Sequence, residues 1–229
     1  MLFRIFKENI TDNLKIADED FNYLTKTLRL KSDSKFEITD GTTAINVFQI
    51  NSIEKKHLEA SLIDTYTENN EPAITLTLIQ GLPKNEKTEL ILQKGTELGI
   101  SKFIFFEGEK SVVKLKNTET KIPRWNKIIE SALCQSRRNY KPEIKTYPSL
   151  KNALQKIDKN IYHADQNNSA IPISGINKTE SINLVIGPES GFSDSEKKLL
   201  QEKSTAVSLG KTTLRTETAA IAACAKLLL

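Results

Sequence analysis

Two stretches of the chain set ionisable side chains among glycine-rich turns. The first is Ile186-Gly187-Pro188-Glu189-Ser190-Gly191-Phe192-Ser193, and the second is Leu209-Gly210-Lys211-Thr212-Thr213-Leu214-Arg215-Thr216-Glu217-Thr218-Ala219. Glycine lets a backbone turn tightly or approach a ligand closely, and proline stiffens the turn. Glu189 brings a carboxylate that can accept a proton or orient a neighbour. Arg215 brings a planar guanidinium that stays charged and can face a carbonyl or phosphate oxygen. Each stretch follows an apolar run that reads as a buried strand and precedes the start of a helix, whose first N–H groups are free to meet an acceptor. In open α/β sheets, ligands bind outside the carboxyl ends of strands, so both loops are ligand-site candidates. Taken alone, either would pass for an ordinary strand-to-helix turn.

Other chemistries lack their signatures. No G-x-x-x-x-G-K-[ST] run is present, no G-x-G-x-x-G follows a strand, and no nucleophile elbow offers a hydrolytic serine. Cys134 and Cys224 lie far apart without metal-ligand spacing, and His57 and His163 cannot build a zinc site by themselves. No metal is expected. The pair of isolated cysteines suits a reducing cytosol. Arg4, Lys7 and Glu8 interrupt the apolar start, so neither a secretory leader nor a membrane anchor is expected, and the expected location is cytoplasmic. With 229 residues, 38% hydrophobic and 27% charged, the chain can bury a substantial core.

The elements that must hold the two loops follow from periodicity. From Ala73 onward, strands at Ile74–Ile79, Lys102–Phe106, Asn160–Ala164, Ile182–Ile186 and Thr205–Leu209 alternate with helices. Glu86–Leu98 reads as a helix stopped by Gly99, and Pro123 suits the first turn of a helix carrying Trp125, Ile128, Ile129, Ala132 and Leu133. A short helix is expected from Ser149. Ser193 to Glu196 has the form of a capping box opening a helix to Lys203, and an Ala-rich helix runs from Glu217 to Leu228. This alternation predicts an α/β domain with a mainly parallel sheet over 71–229. Residues 1–70 form a separate β-rich unit. There Asp40-Gly41 is a two-residue hairpin signal between Lys35–Thr39 and Thr42–Ile50, Asp18 caps a helix to Leu30, and Leu58–Tyr66 is strand-like. The polar tract Thr67–Pro72 reads as a linker.

Charge sharpens the choice of partner. The net charge is +4, but residues 1–70 hold 9 basic against 12 acidic residues while 71–229 hold 24 against 17. The excess is concentrated between residues 84 and 145, which suits either a solvated lysine-rich face or a phosphate-facing one. Only six of the 33 basic residues are arginine: Arg4, Arg29, Arg124, Arg137, Arg138 and Arg215. A chain that uses lysine by default keeps arginine where a bidentate fork matters.

Four blocks in order resemble the bacterial 16S rRNA (uracil-N3)-methyltransferases of the SPOUT superfamily. They are Lys84, Glu89, Lys94 and Glu97-Leu98-Gly99; Gln135-Ser136 with Arg138; Ile186 to Ser193; and Leu209-Gly210 with Leu214 to Ala219. Thr27-Leu28-Arg29-Leu30 before Asp40-Gly41 is a fifth, weaker block. Ser190 stands where the family usually has a second glycine, which requires a negative φ there. The resemblance implies a PUA-like RNA-binding β-barrel over 1–70. It also implies a SPOUT domain over 71–229 whose C-terminal trefoil knot binds S-adenosylmethionine, and homodimers with the active site near the subunit interface. The implied product is a uridine methylated at N3 in 16S rRNA of the small ribosomal subunit.

On that resemblance Arg215 and Glu189 are the catalytic candidates, Arg215 for charge stabilisation and Glu189 as proton acceptor or loop-orienting group. The cofactor would be held by His163, Ala164, Ile186, Gly187, Pro188, Glu189, Gly191, Leu209, Gly210, Leu214, Arg215, Thr218 and Ala219. Arg29, Lys94, Arg137 and Arg138 are the candidate RNA contacts. Two alternatives stay open: a SPOUT enzyme acting on another base or a ribose 2′-hydroxyl, and a non-catalytic RNA-binding protein.

Overall fold

In the computed structural model, residues 2–116, 118, 120–166, 170–177 and 180–229 are described. They divide into two compact units, one of residues 1–71 with 133–141 and one of residues 72–132 with 142–229. Residues 133–141 thus belong with the N-terminal unit, a grouping that a single cut at residue 70 does not capture.

The N-terminal unit is a five-stranded sheet in the order β1-β3-β4-β5-β2, with β1 Arg4–Phe6, β2 Asn13–Ala17, β3 Lys35–Thr39, β4 Ala44–Ile53 and β5 His57–Thr67. Alternation along β2 buries Leu14 and Ile16 and exposes Asn13, Lys15 and Ala17, as the two-residue period of a strand requires. Phe36, Ile38, Phe48, Ile50 and Leu58 complete its core. Two expectations fail here. The β3–β4 connection is a four-residue loop, 40–43, rather than a two-residue turn, because Asp40 Oδ1 accepts from the Thr42 amide and hydroxyl and so forms an Asx turn of its own. Asp18 makes no side-chain cap. Ala17 occupies the cap position of α1 (Asp18–Asn22), Asp18 itself has φ 54°, and a π-helical turn at Tyr23–Thr27 ends the helix before Leu30.

The Thr67–Pro72 tract is no free linker either. Strand β5 runs through Thr67, and Glu68 and Glu71 anchor arginines. Arg138, 3% exposed, binds Glu71 with Nη2 at 2.6 Å and Nε at 3.1 Å, while the Asn139 and Tyr140 amides donate to the other carboxylate oxygen. Arg4 and Arg137 share Glu37, Glu68 and the Tyr66 hydroxyl in a second network. Burial pushes the Glu71 carboxyl up, but the Arg138 guanidinium and the two amides outweigh it and hold the group below the usual range of about 4.5. A carboxyl with a depressed folded pKa stabilises fully above its unfolded pKa and loses that contribution as pH falls through the folded value. The protein is therefore expected to lose stability progressively below about pH 4.5, and in Glu71→Gln this acid-sensitive part should shrink in urea melts at pH 3 and pH 7.

The second unit is a seven-stranded parallel sheet in the order β10-β12-β9-β11-β6-β7-β8. Its strands are β6 Thr75–Gly81, β7 Lys102–Phe106, β8 Glu143–Tyr147, β9 Ile161–Ala164, β10 Ile171–Pro172, β11 Ser181–Ile186 and β12 Thr205–Ser208. Leu76, Leu78, Phe103, Phe105, Ile182, Leu184 and Ile186 bury against α2 (Asn85–Leu98), α3 (Ile122–Ser136) and α6 (Thr216–Leu228). Ile79, Ile104, Phe106, Ile161 and Val185 face the other way, against α4 (Leu150–Leu154) and α5 (Asp194–Lys203). A sheet covered on both faces explains why these strands read as near-continuous apolar runs. Helix α2 ends where Gly99 takes φ 109°, and Ser193 and Glu196 close the expected capping box on α5. The alanines of α6 let it lie close to α2, with Ala219, Ala220, Ala223 and Cys224 buried between. Cys224 is fully buried, and burial pushes its thiol up to about 12, so it is an inert packing residue. Among the described residues, no helix is long and apolar enough to cross a membrane.

Candidate active site

Strand β9 lies between β11 and β12 and pairs parallel with both, so the loops after the three strands leave the same edge of the sheet. There they enclose a cavity of about 650 Å³. Ala164, Asp165 and Gln166 follow β9; Ile186, Gly187, Pro188, Glu189 and Gly191 follow β11; and Leu209, Gly210, Leu214 and Arg215 follow β12. Ala219 closes it from α6. Ser190 is not among the residues of positive φ, whereas Gly191 has φ 70° and Gly210 φ 138°. A serine at 190 thus leaves the turn intact, because the left-handed positions remain glycine.

Two expected lining residues point elsewhere. His163 follows the strand alternation onto the opposite face from Ala164, where it is 5% exposed and its Nδ1 sits 2.9 Å from the Ser204 hydroxyl at the end of α5. Burial pushes His163 down more than Asp165, 3.8 Å away, lifts it, and the ring packs as a structural residue away from the cavity. Thr218 is exposed, since the helical turn that buries Thr216, Glu217 and Ala219 rotates position 218 outward.

Two residues outside the glycine loops hold them. Gln80, fully buried at the carboxyl end of β6, donates from Nε2 to Thr216 Oγ1 at 2.8 Å and to the Gly81 carbonyl at 2.9 Å, and lies 3.2 Å from the Gly187 carbonyl. Thr216 in turn donates to the Gly187 carbonyl at 2.6 Å. One amide thereby ties the first loop to the start of α6. Pro188 fills the space that side chains on Gly81 and Gly108 would take, its ring lying 2.4 and 2.8 Å from where their Cβ atoms would stand. Lys87, in the first turn of α2, pairs with Glu189 and lies 3.3 Å from Glu217 Oε2. These contacts hold its ammonium above the usual lysine range, Glu189 contributing most.

Arg215 stands at the N-cap of α6, exposed and lining the cavity, and its guanidinium has no hydrogen bond or ion pair among the described residues. The carboxylate two positions on, Glu217, has the Lys87 ammonium 3.3 Å from its Oε2 instead. Arg215 is thus free to meet an incoming oxygen.

The expected RNA contacts divide differently. Arg29 is exposed, and Lys94 pairs with Glu97 one helical turn on while remaining 40% exposed. Arg137 and Arg138 are committed to Glu37, Glu68 and Glu71 inside the N-terminal unit, so they hold protein carboxylates rather than face solvent. Among the described residues no group of three or more His, Cys, Asp or Glu side chains is placed to hold a metal ion.

The cavity fits an adenosyl-methionine-sized ligand in its chemistry. Apolar walls come from Ala164, Ile186, Leu209, Leu214 and Ala219, the Thr213 and Leu214 amides donate to no described residue, and Gly191 and Gly210 leave open space where a side chain would project.

Residues 69–228 match the RNA methyltransferase domain family, and residues 16–63 match the RNA methyltransferase PUA domain. The chain is 32% identical to ribosomal RNA small subunit methyltransferase E of Bacillus subtilis, over 89% of this chain and 85% of that protein. A crystal structure of the corresponding Neisseria gonorrhoeae protein bound to S-adenosyl methionine is 28% identical, with TM-score 0.90 over 98% of this chain and 96% of that one. A methyltransferase from Legionella pneumophila in complex with the cofactor is 26% identical, also with TM-score 0.90, over 99% and 97%. With both domains matched and 32% identity over most of both chains, the chain belongs to the ribosomal RNA small subunit methyltransferase E family.

Proposed function

We propose that the protein transfers a methyl group from S-adenosylmethionine to N3 of a specific uridine in 16S rRNA of the small ribosomal subunit, acting as a homodimer in the cytoplasm. The observation that carries this reading is an unpaired guanidinium, Arg215, at a cavity walled by two glycine loops at the carboxyl ends of parallel strands. The same reading takes the segment bearing these loops as the family's trefoil knot.

When bound, S-adenosylmethionine supplies an electrophilic methyl carbon. Ile186, Leu209 and Leu214 would pack against its apolar parts, and the Leu214 amide would donate to it. Uracil N3 carries a proton at neutral pH, and its lone pair becomes available only as that proton passes to solvent water. The negative charge then spreads onto the flanking carbonyl oxygens. Arg215, charged and unpaired, would donate to one of them and stabilise the charge as it develops. Glu189 shares its carboxylate with Lys87, which supports a loop-orienting role over that of proton acceptor. For RNA contact the reading keeps the exposed Arg29 and Lys94.

The test combines purified protein, labelled S-adenosylmethionine and small subunits from cells lacking this activity, followed by nucleoside mass spectrometry. A 3-methyluridine product is expected. A different methylated nucleoside would redirect the target assignment, and absence of transfer would overturn the enzymatic reading.

Loop packing offers a separate check. Gly81→Ala places a Cβ against the backbone of Pro188 and is expected to cost about 1–3 kcal/mol as overpacking. It should also weaken cofactor binding, as read by thermal melts and calorimetric titration.

A further inference from the structure

We propose that Lys87 is a positioning residue that sequesters Glu189 and Glu217 and so keeps the Arg215 guanidinium unpaired for substrate, an inference that rests on the role assigned to Arg215 above. Lys87, Glu189 and Arg215 are three of the five charged side chains that line the cavity, the others being Asp165 after β9 and Lys197 on α5, and Glu217 lies two residues from Arg215 in the first turn of α6. Two carboxylates beside one unclaimed arginine would ordinarily pair with it, because a guanidinium fork matches a carboxylate bidentately. Elsewhere in this chain arginines do so: Arg4, Arg124, Arg137 and Arg138 are all bound to glutamates. The exposed Arg29 and Arg215 do not, and beside Arg215 it is Lys87 that pairs with Glu189 and lies 3.3 Å from Glu217 Oε2, a buried oxygen with no hydrogen bond among the described residues.

The placement of Lys87 is itself informative. It occupies the first turn of α2, where the helix dipole favours an acid and disfavours a cation. Its contribution therefore comes from the two carboxylates it meets rather than from its own helix. Glu217 is 8% exposed, so its charge is poorly screened by water and would be felt strongly by Arg215 if Lys87 were removed.

The experiment reads the state of Arg215 directly, without requiring methyl transfer. Phenylglyoxal labelling of Arg215, followed by peptide mass spectrometry, is compared in the full-length wild type, Lys87→Met, Lys87→Arg and Lys87→Met/Glu189→Gln/Glu217→Gln. Labelling of Arg215 is expected to slow several-fold in Lys87→Met and to recover both in Lys87→Arg and in the triple variant. In parallel, kcat for methyl transfer should fall about tenfold in Lys87→Met, with cofactor Kd changed little. Unchanged Arg215 labelling in a folded Lys87→Met protein, verified by its melting temperature, would overturn the proposal. So would slowed labelling that persists once both carboxylates are neutral, since the cause would then be structural. If labelling behaves as expected while no variant, nor the wild type, transfers methyl groups, the fault lies with the proposed function and not with the role of Lys87.

Discussion

Arg215→Ala is expected to lower kcat/KM for methyl transfer by about 10²–10³-fold, the usual cost of removing one donor aimed at developing negative charge. Its stability should barely change. The side chain is exposed and makes no ion pair or hydrogen bond among the described residues, and surface substitutions of that kind fall within about 0.5 kcal/mol. Cofactor affinity should fall far less than turnover, because the apolar walls and loop amides remain. Arg215→Lys should recover only part of the loss, since an ammonium keeps the charge but not the planar fork. Single-turnover assays with calorimetric cofactor titration separate these outcomes. Full activity in Arg215→Ala would remove the residue from the reaction.

Glu71→Ala is expected to cost about 3–5 kcal/mol, the range for breaking a buried ion pair by removing one partner. Glu71 accepts from both nitrogens of a guanidinium that is 3% exposed and from two backbone amides, so its loss leaves a buried charge without its carboxylate and two N–H groups without an acceptor. Replacing the pair together, as Glu71→Leu with Arg138→Met, should recover only the part of the loss due to the unpaired buried guanidinium, because the Asn139 and Tyr140 amides still lack their acceptor. Urea melts of the single and double variants measure this. Equal stability of Glu71→Ala and wild type would show that the pair contributes nothing.

The two glycine loops were legible because glycine, proline and buried β-branched runs punctuate the chain in a way that depends only on local geometry. The capping box at Ser193 and the stop at Gly99 were legible for the same reason. Less visible was Gln80, a single polar residue closing an otherwise apolar strand. That position, at the carboxyl end of a buried run in a sheet whose ligands bind at that edge, was the available signal. Lys87 gave none, since one lysine in a helix start looks like a solvated charge. Arg137 and Arg138 misled because adjacent arginines after a helix look alike whether they face a phosphate or a carboxylate. Their partners lie about 70 to 100 positions earlier, in β3 and in a tract whose polar composition imitates a linker. The preference for arginine over lysine was a sound signal of fork geometry, and four of the six arginines use that fork on protein carboxylates.

The grouping of residues 133–141 with 1–71 bears on the order in which the protein can assemble during synthesis. Three of the glutamates of the first unit, Glu37, Glu68 and Glu71, take their Arg137 and Arg138 contacts from residues made some seventy to a hundred positions later. The β-sheet can pair as soon as it leaves the ribosome, yet its ion-pair network stays open until residue 138 has followed it out. Until then the nascent unit carries acidic groups that lack part of their positive charge, and it gains its full set of contacts only when more than half of the chain has been translated. A stop after residue 71 would therefore release a fragment poorer in contacts than the same residues within the finished protein, and an N-terminal unit made for separate study would need the 133–141 segment supplied with it.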